Sequence, residues 1–377
     1  MKIAYVLASL ATQGGTERII TEKANYLANC FGYEVYIICF NQYDKETNFY
    51  PLSNNVQQIN LEIPYHSQYK YKYPKRLVKK IELNKKLRES LSKVVLSINP
   101  DILTSINFSK SELICSIPCR AFKIVECHEP KQLIMSDIAN SSIFSRLCVK
   151  FYSNYIIEKK ADLITTLTEE EKANWKKAKR VEFFPNFSSM KISAKSCCKT
   201  KRIIAVGRLS KEKGFDKLID IWKVVSTKHT DWQLDIYGEG ILKESLLKKI
   251  KNEEVANITL RGATNNISKE YSSSSISVVT SKYEGFSLVI LEAMKHGLPV
   301  VAFDCPYGPR NIIEDGKNGY LVENENISSF EEKLCSLIDN EQLRQQFSYA
   351  AIERAKHFDT DKIMLQWKRL YESLTNE

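Results

Sequence analysis

Apolar residues fall along this chain in short blocks of two kinds. Unbroken or nearly unbroken runs at Lys2–Ala8, Glu34–Phe40, Ile102–Ser105, Phe122–Cys127 and Asp162–Thr168 predict buried strands. Between them, apolar positions three and four apart predict helices over Thr16–Asn29 and Leu77–Ile98. From Lys176 to Arg202 a basic stretch with Pro185 and several Ser and Cys interrupts the alternation. It then resumes. Strands are expected at Arg202–Val206, Trp232–Tyr237, Ile258–Arg261, Ile276–Thr280, Val300–Asp304 and Tyr320–Val322, with helices at Phe215–His229 and Ile241–Asn252. Such alternation predicts an α/β chain of two facing doubly wound parallel sheets, with a cleft at the carboxyl ends of their strands. The expected boundaries are 1–180 for an N-terminal domain, 181–201 for a linker, 202–357 for a C-terminal domain and 358–377 for a closing helix. In that helix Ile363, Trp367, Leu370 and Tyr371 recur at helical spacing and read as core.

One stretch breaks the apolar pattern. Tyr283–Asp304 reads YEGFSLVILEAMKHGLPVVAFD, with Ser287 placed as an N-cap and Gly297 and Pro299 placed to end a helix. The helix is apolar on every side and is expected to be buried, which carries Glu292 into the interior. An unpaired carboxylate there costs several kcal/mol, so something must hydrogen-bond it. Gly285 allows close backbone approach at the helix start, where N–H groups favour an anion. Were the segment helical throughout, Glu284 and Glu292 would lie roughly 12 Å and about 80° apart. That spacing suits one extended ligand with phosphates in the middle and hydroxyls at both ends.

Composition adds bounds. The 377 residues give room for two domains, and 43% hydrophobic content is that of a globular protein. No run reaches the roughly 18 apolar residues of a membrane span, and MKIAYVLASLATQGG reads as a strand entering a Gly-Gly turn rather than as a signal peptide. Ten cysteines are scattered without a C-x-x-C pair, which predicts reduced thiols in a cytoplasmic protein. The net charge of +10 is concentrated: ten Lys or Arg and two acids lie between Lys70 and Lys93, a local +8. Tyr65, Tyr69, Tyr71 and Tyr73 precede or enter this run, and Leu77, Ile81, Leu87, Leu91 and Val95 give it an apolar stripe. Three readings stay open: a solvated helix face, an anionic membrane or phospholipid-like acceptor touching Lys72, Lys75, Arg76, Lys79 and Lys80, or nucleic acid. No nucleic-acid motif accompanies it, so the last is set aside.

Three more loops follow expected strands. Gln13-Gly14-Gly15-Thr16-Glu17 is a glycine turn opening a helix. Val206-Gly207-Arg208-Leu209-Ser210-Lys211-Glu212-Lys213-Gly214 places Arg208 and Lys213 on the loop entering another helix, two cations that can neutralise a diphosphate without metal. Cys127-His128-Glu129-Pro130 ends a strand with a histidine. Together with the Glu-x7-Glu pair Glu284/Glu292, Gly308-Pro309-Arg310-Asn311-Ile312-Ile313-Glu314 and Gly316-Lys317-Asn318-Gly319, these residues resemble the family-4 retaining glycosyltransferases of the two-Rossmann-domain GT-B fold. The last two motifs also look like those of members acting in bacterial surface-polysaccharide assembly, and the resemblance covers nearly the whole chain.

The resemblance implies the following roles. Arg208 and Lys213 hold the donor diphosphate and stabilise the leaving group. Glu284 meets the sugar hydroxyls, and the backbone of Gly285, Phe286, Ser287 and Leu288 lines the sugar and phosphates. Glu292 takes the ribose hydroxyls. Gly14 and Gly15 close on the donor, His128 stands near the reacting sugar, and Ala263 borders the nucleobase. The catalytic set is then Glu284, His128, Arg208 and Lys213. No cofactor and no metal are expected; Asp359-Thr360-Asp361 reads as a helix cap rather than a metal-binding D-x-D. The implied reaction is transfer of a hexose or N-acetylhexosamine, UDP-linked by expectation, to a lipid-linked saccharide or surface-glycan precursor at the inner face of the cytoplasmic membrane. Two alternatives stand beside it: a non-catalytic nucleotide-sugar-binding or scaffolding subunit, and a UDP-sugar epimerase or hydrolase. A dinucleotide oxidoreductase is disfavoured because Tyr237-Gly238-Glu239-Gly240 lacks the third glycine of that fingerprint.

Overall fold

The structure, a computed structural model, describes residues 1–72, 74–107, 110–131 and 157–375. Tyr73, one of the four tyrosines named above, lies outside the described residues. The chain divides into two compact units, Met1–Pro185 with Ile363–Glu377, and Asn186–Lys362.

Among the described residues the first unit carries a parallel sheet of seven strands: β1 (Lys2–Leu7), β2 (Glu34–Cys39), β3 (Val56–Asn60), β4 (Ile102–Ile106), β5 (Phe122–Glu126), β6 (Leu163–Thr166) and β7 (Val181–Phe183). Their order is β3-β2-β1-β4-β5-β6-β7, so the strand sequence reverses between β1 and β4. Doubly wound sheets bind ligands at such a reversal, outside the carboxyl ends of the strands. The edge strands β3 and β7 were not expected. Both are short, and neither presents the continuous apolar run of a central strand; β7 lies within the stretch expected as a linker.

The helix Gly15–Phe31 packs Ile19, Ile20, Lys23, Ala24 and Leu27 inward and stops at Gly32, whose φ of 67° is left-handed. In the helix Lys75–Ile98 the buried stripe is Leu83, Leu87, Leu91, Val95 and Ile98. Leu77 and Ile81, expected on that stripe, are instead 46% and 61% exposed. The final helix, Thr360–Thr375, belongs to this unit through most of its length. It buries Ile363, Trp367, Leu370 and Tyr371; Trp367 stacks on Phe184 at 4.2 Å, and the Tyr371 hydroxyl meets that of Tyr5 on β1 at 2.8 Å.

The second unit carries six described strands, all parallel: β8 (Arg202–Val206), β9 (Gln233–Tyr237), β10 (Ile258–Gly262), β11 (Ile276–Val279), β12 (Val300–Asp304) and β13 (Gly319–Glu323). The order β10-β9-β8-β11-β12-β13 reverses between β8 and β11. Its core gathers around Trp222, fully buried, with the indole N–H donating to the carbonyls of Ala256 and Asn257 at 3.0 and 3.1 Å. Both units are therefore doubly wound and Rossmann-like, as in the GT-B architecture. Among the described residues no helix is long and apolar enough to cross a membrane.

Candidate functional site

In the second unit the reversal brings two loops together. The loop after β8 runs through Gly207 and Arg208 into a single 3-10 turn, Lys211–Lys213, and then the helix Phe215–Lys228. The loop after β11 runs from Thr280 to Ser287 before the helix Leu288–Lys295. Thr280 joins them: its hydroxyl donates to the carbonyls of Lys213 and Gly214, both at 3.1 Å. Beside it, the Lys282 N–H donates to the Glu212 carbonyl at 2.8 Å. Two glycines make this approach possible. Gly214 has φ +65°, and a Cβ there would lie 2.1 Å from the Thr280 carbonyl oxygen. Gly238 has φ +144°, and a Cβ there would lie 1.9 Å from the Gly207 carbonyl oxygen. The glycines after β9 thus pack against the β8 loop rather than cradling a dinucleotide.

At the junction the Lys213 ammonium meets the Glu284 carboxylate at 2.7 Å, and the Ser281 hydroxyl donates to the same oxygen at 2.7 Å. Lys213 is 23% and Glu284 10% exposed along their side chains, so the pair sits at the surface of the unit without being freely solvated. Glu284 is also held from behind. Its backbone bridges to Tyr307, and Gly308 passes so close that a Cβ there would meet Glu284 Cβ at 2.6 Å. Arg208 is exposed on the same loop.

The helix start differs from expectation. Ser287 occupies the N-cap position, yet it is left-handed (φ 74°, ψ 73°) and its side chain makes no capping bond. Its hydroxyl is buried and has no partner among the described residues. Residues Glu284–Ser287 are not helical, so the helical separation of Glu284 and Glu292 does not apply. Glu292 itself is buried as expected, at 4% exposure, on a helix that also buries Ile290, Leu291, Ala293 and Met294. Gly285 is half-buried and Phe286 buried, its ring edge-on to Phe358 at 5.5 Å. Leu288 is half-buried. Ala263 is exposed just beyond β10, the edge strand two places from β8. Downstream, Arg310 grips Asp304 through two bonds of 2.9 Å, while Asn318 receives the Glu314 N–H at 3.0 Å in the turn leading to β13. Those motif residues shape the loop after β12.

In the first unit Gly14 is the N-cap of the Gly15–Phe31 helix, in extended backbone (φ −152°), and Gly15 is exposed. The Glu17 carboxylate folds back over Gly14 and accepts from the Thr12 hydroxyl at 3.0 Å. His128 follows β5 and is buried. Its N–H donates to the Asn107 side chain at 2.7 Å, and its Nε2 lies 3.1 Å from Glu126 Oε1. The other Glu126 oxygen takes the Lys23 ammonium at 2.7 Å, and that ammonium stands 2.9 Å from the Trp367 ring centroid. Burial raises the Glu126 carboxyl, but Lys23 and the bond from His128 outweigh it and hold the pKa at about 2. Burial lowers Lys23 to about 8, which leaves the pair ionised at neutral pH. The Nδ1 of His128 is buried without a partner among the described residues. Sequence reading missed Lys23 and Glu126. The signal was there: a lysine on the inward face of an amphipathic helix, and a glutamate at the end of a strand after the apolar Ile124 and Val125.

The basic stretch also resolves into faces. Lys72, Arg76 and Lys80 line a hollow, whereas Lys79 pairs with Glu82 at 2.9 Å and Lys75 is exposed outside that lining. The nine described cysteines are all free. Among the described residues no group of three or more His, Cys, Asp or Glu is placed to hold a metal. Asp359 is extended and immediately precedes the Thr360–Thr375 helix.

Comparison with known proteins adds to this geometry. Residues 191–354 match the family model described as glycosyl transferases group 1. The chain is 31% identical over 380 residues to an uncharacterized glycosyltransferase of Haemophilus influenzae, covering 97% of this chain and 99% of that protein. It is 29% identical over 381 residues to the amylovoran biosynthesis glycosyltransferase AmsD of Erwinia amylovora, covering 97% and 98%. Among solved structures, a variant of S. aureus TarM in complex with fondaparinux, alpha-GlcNAc-glycerol and UDP superposes with a TM-score of 0.77 at 18% identity, covering 98% of this chain and 99% of that one.

Proposed function

The chain belongs to the GT-B glycosyltransferases related to family 4, and from that membership we propose that it transfers a hexose or N-acetylhexosamine from a UDP-sugar to a lipid-linked saccharide or surface-glycan precursor, with retention of anomeric configuration. The observation that carries the donor reading is the corner at the β8/β11 reversal. A lysine and a glutamate meet there, on the loop that leads to a helix whose N-cap serine, Ser287, buries a hydroxyl without a partner among the described residues. Lys213 with Arg208 takes the diphosphate and stabilises the charge that develops as it leaves. Glu284 then exchanges its lysine for sugar hydroxyls. The backbone of Gly285, Phe286, Ser287 and Leu288 lines the sugar and phosphates, Glu292 accepts from the ribose and Ala263 borders the base. His128 and the Gly14-Gly15 turn are the first unit's contribution to the same reaction. UDP in the TarM complex supports the uridine nucleotide. Retention needs no enzymic nucleophile when the leaving phosphate assists attack on the same face of the sugar.

We assign the inner face of the cytoplasmic membrane as the place of reaction. Leu77, Val78 and Ile81, 46%, 66% and 61% exposed, lie on the helix that carries the basic stretch, an arrangement that suits an anionic interface.

The test is a transferase assay with a panel of UDP-sugars and lipid-linked acceptors, with and without EDTA. The proposal expects acceptor-dependent UDP release, an α-linked product from an α-linked donor, and the same rate in EDTA. Loss of activity in EDTA with rescue by manganese would contradict metal independence. Sugar isomerised or hydrolysed from donor alone would replace the transferase by an epimerase or hydrolase.

A further inference from the structure

The first unit contains a cavity of about 810 Å³ at the carboxyl ends of its strands, reached by Ala8 after β1, Asn41 after β2 and Lys110 after β4. Among the described residues four cations line it, Lys72, Arg76, Lys80 and Lys110, and no carboxylate does. Among the described residues none of the four is ion-paired. Arg76 and Lys110 are held by uncharged groups instead. The Arg76 guanidinium lies 4.5 Å from the Tyr69 ring centroid, the Lys110 ammonium lies 4.4 Å from that of Tyr65, and Lys110 donates to Asn84 at 2.9 Å. Burial and the neighbouring Lys80 charge lower the Lys110 pKa, against a smaller opposing effect of the Glu112 carboxylate nearby. Like charges gathered around a hollow repel one another, and an anion placed among them relieves that repulsion.

Two neighbouring features indicate which anion. A hollow of about 570 Å³ adjoins the cavity through the shared residues Ala8, Asn41 and His66, and runs toward Thr12 and Glu17 on the glycine turn. On the other side, Leu77 lines the cavity and leads to the exposed Val78 and Ile81 on the same helix. A ligand laid along this path meets polar walls, then four cations, then an apolar surface.

We propose that this cavity binds the diphosphate of a lipid-diphosphate-linked acceptor, with the saccharide in the adjoining hollow and the first isoprenoid units against Leu77, Val78 and Ile81. The identification as an acceptor rests on the transferase reading above; the anion site stands on the cavity itself.

The test is calorimetric titration of the full chain with inorganic pyrophosphate and with geranyl diphosphate, in saturating UDP so that the donor corner is filled. Both ligands are expected to bind, geranyl diphosphate more tightly. A triple variant, Arg76→Gln, Lys80→Gln and Lys110→Gln, is expected to lose at least about tenfold in affinity for both, as removal of charged hydrogen bonds does, with UDP affinity unchanged. Leu77→Ser with Ile81→Ser is expected to remove only the advantage of the geranyl chain. Displacement of both ligands by UDP, or equal binding by the triple variant, overturns the proposal. So does binding to phosphatidylglycerol vesicles without binding of either soluble diphosphate, which would make the patch a membrane contact alone. If the chain fails to bind UDP yet binds pyrophosphate in a manner the triple variant loses, the donor reading falls and the anion site remains.

Discussion

Two lysine–glutamate pairs in this molecule have the same length, 2.7 Å, and opposite meanings. Lys23–Glu126 in the first unit is almost sealed, with side chains 1% and 4% exposed and the ammonium over the Trp367 ring. Lys213–Glu284 in the second unit is 23% and 10% exposed and joins two loops at a sheet reversal. Taking a pair out of water costs each ion its hydration, and the cost is recovered only while both partners stay in place. The sealed pair therefore acts as a fixed post that holds the Nε2 side of His128. The half-open pair can trade partners with a ligand because water and ligand reach it. An ion-pair distance alone does not distinguish a structural pair from a binding pair; what surrounds it does.

The sharpest way to break that comparison is to remove each lysine. Lys23→Met strands a buried carboxylate and is expected to cost about 3–5 kcal/mol in denaturant unfolding, with much of the loss recovered when Glu126→Gln is added. Lys213→Met is expected to change unfolding by about 1 kcal/mol or less, because its pair is partly solvated. Its transferase rate should nevertheless fall by roughly 10²–10³, the range for losing a group that stabilises a leaving-group charge. If both variants lost stability equally, the two pairs would not differ in kind.

Smaller effects sharpen the picture. Glu292→Gln is expected to weaken UDP-sugar binding by about tenfold, the loss of one charged hydrogen bond, as read by titration calorimetry. Acid separates the pairs again. The Glu126 pKa is depressed from 4.5 to about 2 in the folded state, so its stabilisation is complete above 4.5 and is lost as pH falls toward 2. The slope is at most about 1.4 kcal/mol per pH unit. The double variant Lys23→Met with Glu126→Gln should lack this component in unfolding curves taken between about pH 5 and 3, whereas Glu284→Gln should retain it.

The central strands were legible because each is a nearly unbroken apolar run buried on both faces; β8 and β12 fall where the pattern places them. The edges were not. β3 reads Val-Gln-Gln-Ile-Asn, a half-exposed strand whose polar residues cancel the signal. The helices Ile327–Asp339 and Glu341–Ala355 were missed although Asn326 and Asn340 cap them, accepting from the Ser329 and Leu343 N–H groups at 3.1 and 2.9 Å. In the site, Glu292 stood out as a carboxylate in an otherwise apolar helix, while Lys213 and Glu284 were named from the loops that enter two helices. That Lys213 and Glu284 bond each other was not legible, because they are far apart in sequence and meet only through the β8/β11 reversal. The left-handed backbone of Ser287 was equally hidden, since a serine before an apolar helix reads as an ordinary cap.

The most direct test of the donor corner is thermal unfolding of the full chain against UDP-sugars, comparing the unsubstituted protein with Lys213→Met. At about 100 times its dissociation constant a ligand stabilises the folded state by about 2.7 kcal/mol, a readily measured rise in Tm. The account predicts that rise in the unsubstituted chain and its loss in Lys213→Met at the same concentration. An equal rise in both would place the donor elsewhere and contradict the reading of the Lys213–Glu284 pair.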